Sequence, residues 1–164
     1  MADEYILVIN PGSTSTKLAL FKGEAMVAEE NAEGSSGKLW DTVPERLEAI
    51  QAFLKRNGTP RLAACVGRGG LIHPVPSGTI RVNDAMIADV KAAKRGEHAS
   101  NLGCALADAI ARPLGIPAFI VDSVAVDELN PLARYSGHPL IQRESLSHAL
   151  NLHAVTRKAA EKIG

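Results

Sequence analysis

Apolar and β-branched residues fall in short runs at the start of the chain, and a helical period takes over in the middle. Residues 5–9 form a continuous apolar run that predicts a buried strand, stopped by the turn residues Asn10-Pro11-Gly12. An extended pattern resumes over 16–21, Lys22-Gly23 turns it, and a third strand is predicted over 25–29. Between 39 and 54 the apolar positions Leu39, Trp40, Val43, Leu47, Ile50, Phe53 and Leu54 recur at helical spacing, with Asn57-Gly58 as the stop. A short strand over 62–66 closes on Gly67. The Gly- and Pro-rich stretch 68–82 is too long for a plain connector and reads as a site loop. Asn83 or Asp84 can cap a helix running to about Arg95, and Ser100 can cap another from 101 to about 111. A strand over 118–121 ends on Asp122. A last helix is predicted from about 144 to 162, with Leu146, Leu150, Val155 and Ala159 as its buried stripe. This order predicts three antiparallel strands extended by parallel crossovers, an α/β sheet covered on both faces.

Composition narrows the function classes. The chain has 164 residues, 18 basic and 18 acidic, so its formal charge of zero carries no electrostatic footprint for nucleic acid or an anionic membrane. With 46% hydrophobic and 22% charged residues it reads as a folded globular domain. Cys65 and Cys104 form neither a CxxC pair nor a disulfide framework, which points to a reducing, cytoplasmic compartment. The start Met1-Ala2-Asp3-Glu4 is acidic where a signal peptide is basic, and no apolar run approaches the roughly 18 residues of a membrane span. There is no internal repeat.

Five segments carry candidate chemistry. Asn10-Pro11-Gly12-Ser13-Thr14-Ser15-Thr16-Lys17 places a turn, four hydroxyls, an amide and one cation between two strands. Small residues let backbone N–H groups approach an anion, so the segment reads either as a phosphate hairpin or as an ordinary polar turn. It is not a Walker loop, because the second glycine and the Ser or Thr after the lysine are missing. Arg68 ends a strand amid Gly67, Gly69 and Gly70 and could grip a carboxylate or phosphate; a surface arginine in a mobile loop is the alternative. His98 precedes a helix N-terminus, where it could donate to an anion or do nothing. Asp122 stands at the carboxyl end of a strand, where ligands collect in α/β sheets, although a turn or capping role is equally open. His148 opens the last helix with Asn151 one turn on, and His73 reads as part of a rigid loop wall. No cluster has zinc spacing.

In order along the chain, these segments resemble the acetokinase family of carboxylate kinases, and among them the butyrate kinases. The matching stretches are ILVINPGSTSTK at 6–17, VGRGGLIHPVPSG at 66–78, GEHASNLG at 96–103, FIVD at 119–122, VDEL at 126–129 and SHALN at 147–151. The resemblance implies one ribonuclease-H-like domain of the sugar kinase, actin and heat-shock ATPase superfamily. It implies a phosphate role for Asn10, Gly12, Ser13, Ser15 and Lys17, a substrate-carboxylate clamp at Arg68, and histidines 98 and 148 along the phosphoryl path. Asp122 matches the acid that orients the nucleophile and Mg²⁺ water. The implied reaction moves the γ-phosphoryl group of ATP to butyrate or a similar short acid, reversibly giving acyl phosphate and ADP.

Family members are about twice as long, and their second domain carries the adenosine pocket. Residues 1–143 are therefore expected to form an N-terminal acyl- and phosphate-binding domain, with 144–164 starting the link to a second domain. Such a half should be inactive alone, and the complete polypeptide should form a homo-oligomer. Ser147 departs from the aromatic residue expected before His148. The rival reading from another class is a non-catalytic module of the same fold that binds a phosphate or acyl ligand. All of these residues are expected to share one cleft wall.

Overall fold

The computed structural model describes residues 4–34 and 37–164; the acidic start Met1 to Asp3 lies outside them. Strand β1 (Tyr5–Pro11) runs two residues beyond its predicted end, so Asn10 and Pro11 belong to the ladder. It pairs antiparallel with β2 (Ser15–Lys22), which pairs antiparallel with β3 (Ala25–Glu33). A 3₁₀ turn at Leu39–Thr42 leads into α1 (Val43–Arg56). Strand β4 (Leu62–Arg68) lies parallel to β1, and β6 (Ala118–Val121) lies parallel to β4. Between them come β5 (Ile80–Arg81), α2 (Asp84–Ala92) and α3 (Leu102–Ala111), and α4 (Ala149–Ile163) follows β6. The sheet order is β3-β2-β1-β4-β6-β5, the three antiparallel strands and parallel crossovers expected, with β5 an unforeseen antiparallel edge inside the glycine-rich stretch.

The alternation along β1 explains what the sheet buries. Leu7 and Ile9 are fully buried, together with Leu18 and Leu20 of β2, Ile50 and Phe53 of α1, and Leu102 and Leu106 of α3. Fully burying such a side chain contributes roughly 1.5–3 kcal/mol, so this layer supplies most of the driving force. Helices α1 and α3 cover this one face. The opposite face, carrying Ile6, Val8 and Asn10, is left largely open, with Ile6 37% exposed. Coverage of both faces is thus not found among the described residues.

Three local expectations change. Asn83 caps α2 through Met86 N–H at 2.8 Å, as its side chain suggests, but the helix ends at Ala92 because Ala93 turns left-handed at φ +48°. His98, rather than Ser100, caps the turn before α3. Helix α4 begins at Ala149, so Leu146 precedes it, and of the presumed buried stripe only Leu150 is half-buried, with Leu146 61% and Val155 58% accessible. Nothing among the described residues packs there closely enough to cover it. No helix among the described residues is long and apolar enough to cross a membrane.

Candidate active site

The parallel strands β4 and β6 end side by side, and their last residues carry the charged groups. Arg68 closes β4 opposite Val121, and Asp122 follows immediately. Asp122 has φ +56°, the left-handed region that Asp tolerates better than most side chains, and such strain is common at functional positions. Its Oδ1 accepts the Asn151 amide at 3.1 Å, which ties the first turn of α4 to the end of β6. His148 Nδ1 stands 3.0 Å from Asp122 Oδ2 and 3.1 Å from the Asp122 carbonyl. Arg68 Nη2 lies 2.6 Å from His148 Nε2 and 3.8 Å from Asp122 Oδ2.

These distances fix a proton. A guanidinium only donates, so Nε2 of His148 must accept, and the neutral ring carries its proton on Nδ1, donated to Asp122. The order is therefore Arg68 to His148 to Asp122, a cation and an anion joined through a neutral imidazole. Only the Nη2 arm of Arg68 is engaged among the described residues, so the rest of its fork can meet a carboxylate. Arg68, Asp122, Asn10 and Asn151 line a hollow of about 380 Å³ on the open sheet face.

Glycines make this arrangement possible by letting α3 and the loop after β4 press onto the strand ends. A Cβ on Gly67 would sit 2.1 Å from the Gly103 carbonyl oxygen, and one on Gly103 would sit 2.1 Å from the Arg68 oxygen. Beside them, a Cβ on Gly69 would meet Ser123, and one on Gly70 would meet Asn101. Asn101 is fully buried, accepts the Leu71 amide at 2.9 Å and donates to the Gly96 carbonyl at 3.0 Å. Ser123 donates to the Gly70 carbonyl at 2.8 Å. Neither residue was evident from the sequence; only their position beside the glycine blocks hinted at them.

The hairpin residues divide between two further hollows. Lys17 lies exposed on β2 beside Asn10 and Asn31, in a hollow of about 550 Å³ that adjoins the Arg68 hollow through Val8 and Asn10. Ser13 and His98 line a separate hollow of about 650 Å³ with Lys38 and Trp40. His98 Nδ1 accepts the Ser100 amide at 3.2 Å and lies 2.8 Å from the Ser100 hydroxyl, so a neutral ring presents its N–H from Nε2. The expected single cleft is met only in part. Asn10 joins Arg68, Asp122 and Lys17 into two adjoining hollows, while His98 and Ser13 open around the hairpin tip. Gly12 and Ser15 form that tip, the Gly12 amide donating to the Ser15 carbonyl at 2.7 Å. His73 sits apart, its Nδ1 2.7 Å from Asp89. A hollow of about 690 Å³ lined by residues such as Leu54, Arg61 and Ile110 holds none of these groups.

Arg46 was also not foreseen. It lies on the inward stripe of α1 between Val43 and Ile50 and is only 3% exposed. Its position three residues after Val43 was the available signal. Burial pulls its pKa below the ordinary arginine value, opposed by the neighbouring Glu45 carboxylate.

No family model matches the chain. A probable butyrate kinase of Enterococcus faecalis is 50% identical over 98% of this chain and 46% of its own length. A probable butyrate kinase of Listeria innocua is 47% identical over 97% of the chain and 47% of its own length. In sequence, this chain is related to the butyrate kinases. It spans about half the length of these curated relatives. A propionate kinase from Francisella tularensis superposes with a TM-score of 0.68 at 18% identity, over 98% of this chain and 49% of that one. Porphyromonas gingivalis acetate kinase gives 0.67 at 17% identity with the same coverage. At such identities these structures speak to the fold, which is the α/β fold the motifs implied.

Proposed function

We propose that this chain is the N-terminal half of a carboxylate kinase that moves the γ-phosphoryl group of ATP to butyrate, giving butyryl phosphate and ADP reversibly, and that it does not turn over alone. The observation that carries the reading is the meeting of Arg68, His148 and Asp122 at the strand ends beside Asn10. A carboxylate is already a nucleophile at neutral pH, so the chemical difficulty is bringing two anions together. That repulsion costs about 4 kcal/mol at 4 Å for an effective dielectric near 20.

Arg68 supplies the counter-charge for the acid, with His148 and Asp122 holding its guanidinium in place. Lys17 and the Asn10, Gly12, Ser13 and Ser15 groups of the hairpin face the phosphates, and His98 donates from Nε2. Mg²⁺ carried with the nucleotide supplies further neutralisation of the phosphoryl oxygens. The residues present fit a hydrated ion rather than a resident one: Asp122 is a single carboxylate with lone pairs left for metal-bound water, and the described residues hold no cluster of three or more ligating side chains. The reading also places the enzyme in a reducing cytoplasm and makes the complete polypeptide a homo-oligomer.

The test joins residues 1–164 to the C-terminal remainder of the Enterococcus faecalis relative and traps acyl phosphate with hydroxylamine. The chimera should form butyryl hydroxamate, the 164-residue chain should not, and Lys17→Ala or Arg68→Ala should each lower the chimera's rate at least 100-fold. A folded chimera that binds butyrate or phosphate without turnover would favour the non-catalytic module. Turnover by the 164-residue chain alone would refute the proposal of an inactive half.

A further inference from the structure

We infer that Arg46 is a positioning residue that presets the hairpin for a phosphate group, an inference that rests on the phosphate role proposed for that hairpin. Its guanidinium lies beneath the turn and spends its donors on it. Nη2 donates to the Gly12 carbonyl at 2.9 Å, and Nη1 donates to the Ser15 carbonyl at 3.0 Å and the Thr16 hydroxyl at 2.6 Å. Nε donates to the Thr42 hydroxyl at 3.0 Å, and Thr42 in turn donates to the Leu39 carbonyl at 2.7 Å. Three of the four acceptors belong to the hairpin.

The consequence for an anion follows from the planar trans peptide. A carbonyl and the N–H of the next residue point in opposite directions across one peptide unit. With the Gly12 carbonyl drawn inward to Arg46, the Ser13 amide is turned away from the guanidinium, and Ser13 lines the hollow it shares with His98. None of the four acceptors is charged, and the one carboxylate that bears on the guanidinium, Glu45 next to it in sequence, acts through its charge. Buried arginines are usually matched by carboxylates. A buried cation hydrogen-bonded beneath a turn that faces its amide outward is an arrangement suited to phosphate oxygens. Lysine cannot reproduce it, because one ammonium cannot span three acceptors in the plane of a fork.

The experiment titrates inorganic phosphate into the 164-residue chain and follows backbone amide shifts of Gly12, Ser13, Ser15 and Thr16, with thermal melting recorded in parallel. Wild type should show saturable shifts at these amides. Arg46→Lys, measured well below its melting temperature, should bind phosphate at least tenfold more weakly. Thr42→Val removes an acceptor of Arg46 yet leaves the three hairpin bonds, so it should lower the melting temperature while changing affinity by less than twofold. A folded Arg46→Lys chain binding within twofold of wild type overturns the inference and leaves the proposed function standing. If Arg46→Lys does not fold, Thr16→Val, which loses one hairpin bond, should bind at least threefold more weakly, and unchanged affinity overturns the inference. No saturable shift in wild type overturns the inference, and the proposed function then stands or falls with butyryl hydroxamate formation by the chimera.

Discussion

The contact between Gly67 and Gly103 invites a quantitative test, because it fixes the distance of α3 from the strand that carries Arg68. In Gly67→Ala the new Cβ would lie 2.1 Å from the Gly103 oxygen, 2.4 Å from its carbonyl carbon and 3.0 Å from its Cα. Favourable carbon contacts begin near about 3.5 Å, so strand and helix must part by more than 1 Å. Every obstructing atom is backbone, so no side chain can swing aside. Helix α3 buries seven of its ten residues, and lifting it loosens Leu102, Leu106 and Ile110 together. Overpacking costs about 1–3 kcal/mol where side chains can adjust, and this case belongs at or above 3 kcal/mol. At roughly 2–4 °C per kcal/mol for a chain of this size, Gly67→Ala should melt about 10 °C below wild type by circular dichroism. Gly103→Ala should behave alike, since its Cβ would meet the Arg68 oxygen at 2.1 Å. Gly137→Ala is the control, with nothing within 4 Å of the added methyl, and should stay within about 0.5 kcal/mol. If Gly67→Ala melts within about 2 °C of wild type, the argument that these glycines set the helix height is wrong.

Two further perturbations test burial and strain. Burial pushes the Cys65 thiol up to about 12 and the Cys104 thiol up to about 11, against about 8.5 in the unfolded chain. The unfolded state therefore loses these protons first. The thiol contribution to stability is whole below about pH 8.5 and declines as pH climbs toward 11 and 12. Melting temperature should fall less steeply from pH 8.5 to 10.5 in Cys65→Ala than in wild type, and parallel slopes would count against the argument. At Asp122, Asn tolerates φ +56° and keeps an acceptor for the Asn151 amide, so Asp122→Asn should cost about 1 kcal/mol or less. Asp122→Val puts a β-branched side chain in the same conformation and should cost about 2–3 kcal/mol more by urea unfolding.

The fold was legible wherever local pattern and tertiary demand agree. The strands over 5–9, 16–21 and 118–121 are apolar runs bounded by turn residues; the first is two residues longer at its end, the second one residue longer at each end, and the third has the predicted bounds. The edge strand β5 was not legible. It has two residues, and its pairing with Phe119 and Ile120 is a long-range fact that no window of sequence contains. The stripe on α4 misled for a related reason: periodicity marks an amphipathic helix but does not say that its partner lies within the same 164 residues. Leu152 and Val155 are apolar at helical spacing and yet exposed.

The site was legible by residue type and less so by geometry, and the division has a physical cause. Arg68, Asp122 and His148 could be named because charged groups next to glycines at strand ends, or at a helix start, are unusual in any window. Their mutual distances depend on how far backbone approaches backbone, and that is decided by Gly67, Gly69, Gly70 and Gly103 with partners 30 or more positions away. The same logic explains why Arg46 escaped notice. A cation on the inward side of a helix contradicts the pattern rule unless something opposite accepts its protons, and those acceptors are main-chain carbonyls at Gly12 and Ser15, which leave no mark in the sequence. The division of the hairpin between hollows follows from strand alternation. Asn10 and Lys17 are register partners on the open face, whereas Ser13 at the tip is past the last paired residue and can turn toward His98. On the proposed reading, a bound phosphoryl chain that touched both Lys17 and His98 would therefore have to pass over the tip of the hairpin, whose Gly12 and Ser15 carbonyls Arg46 holds from beneath.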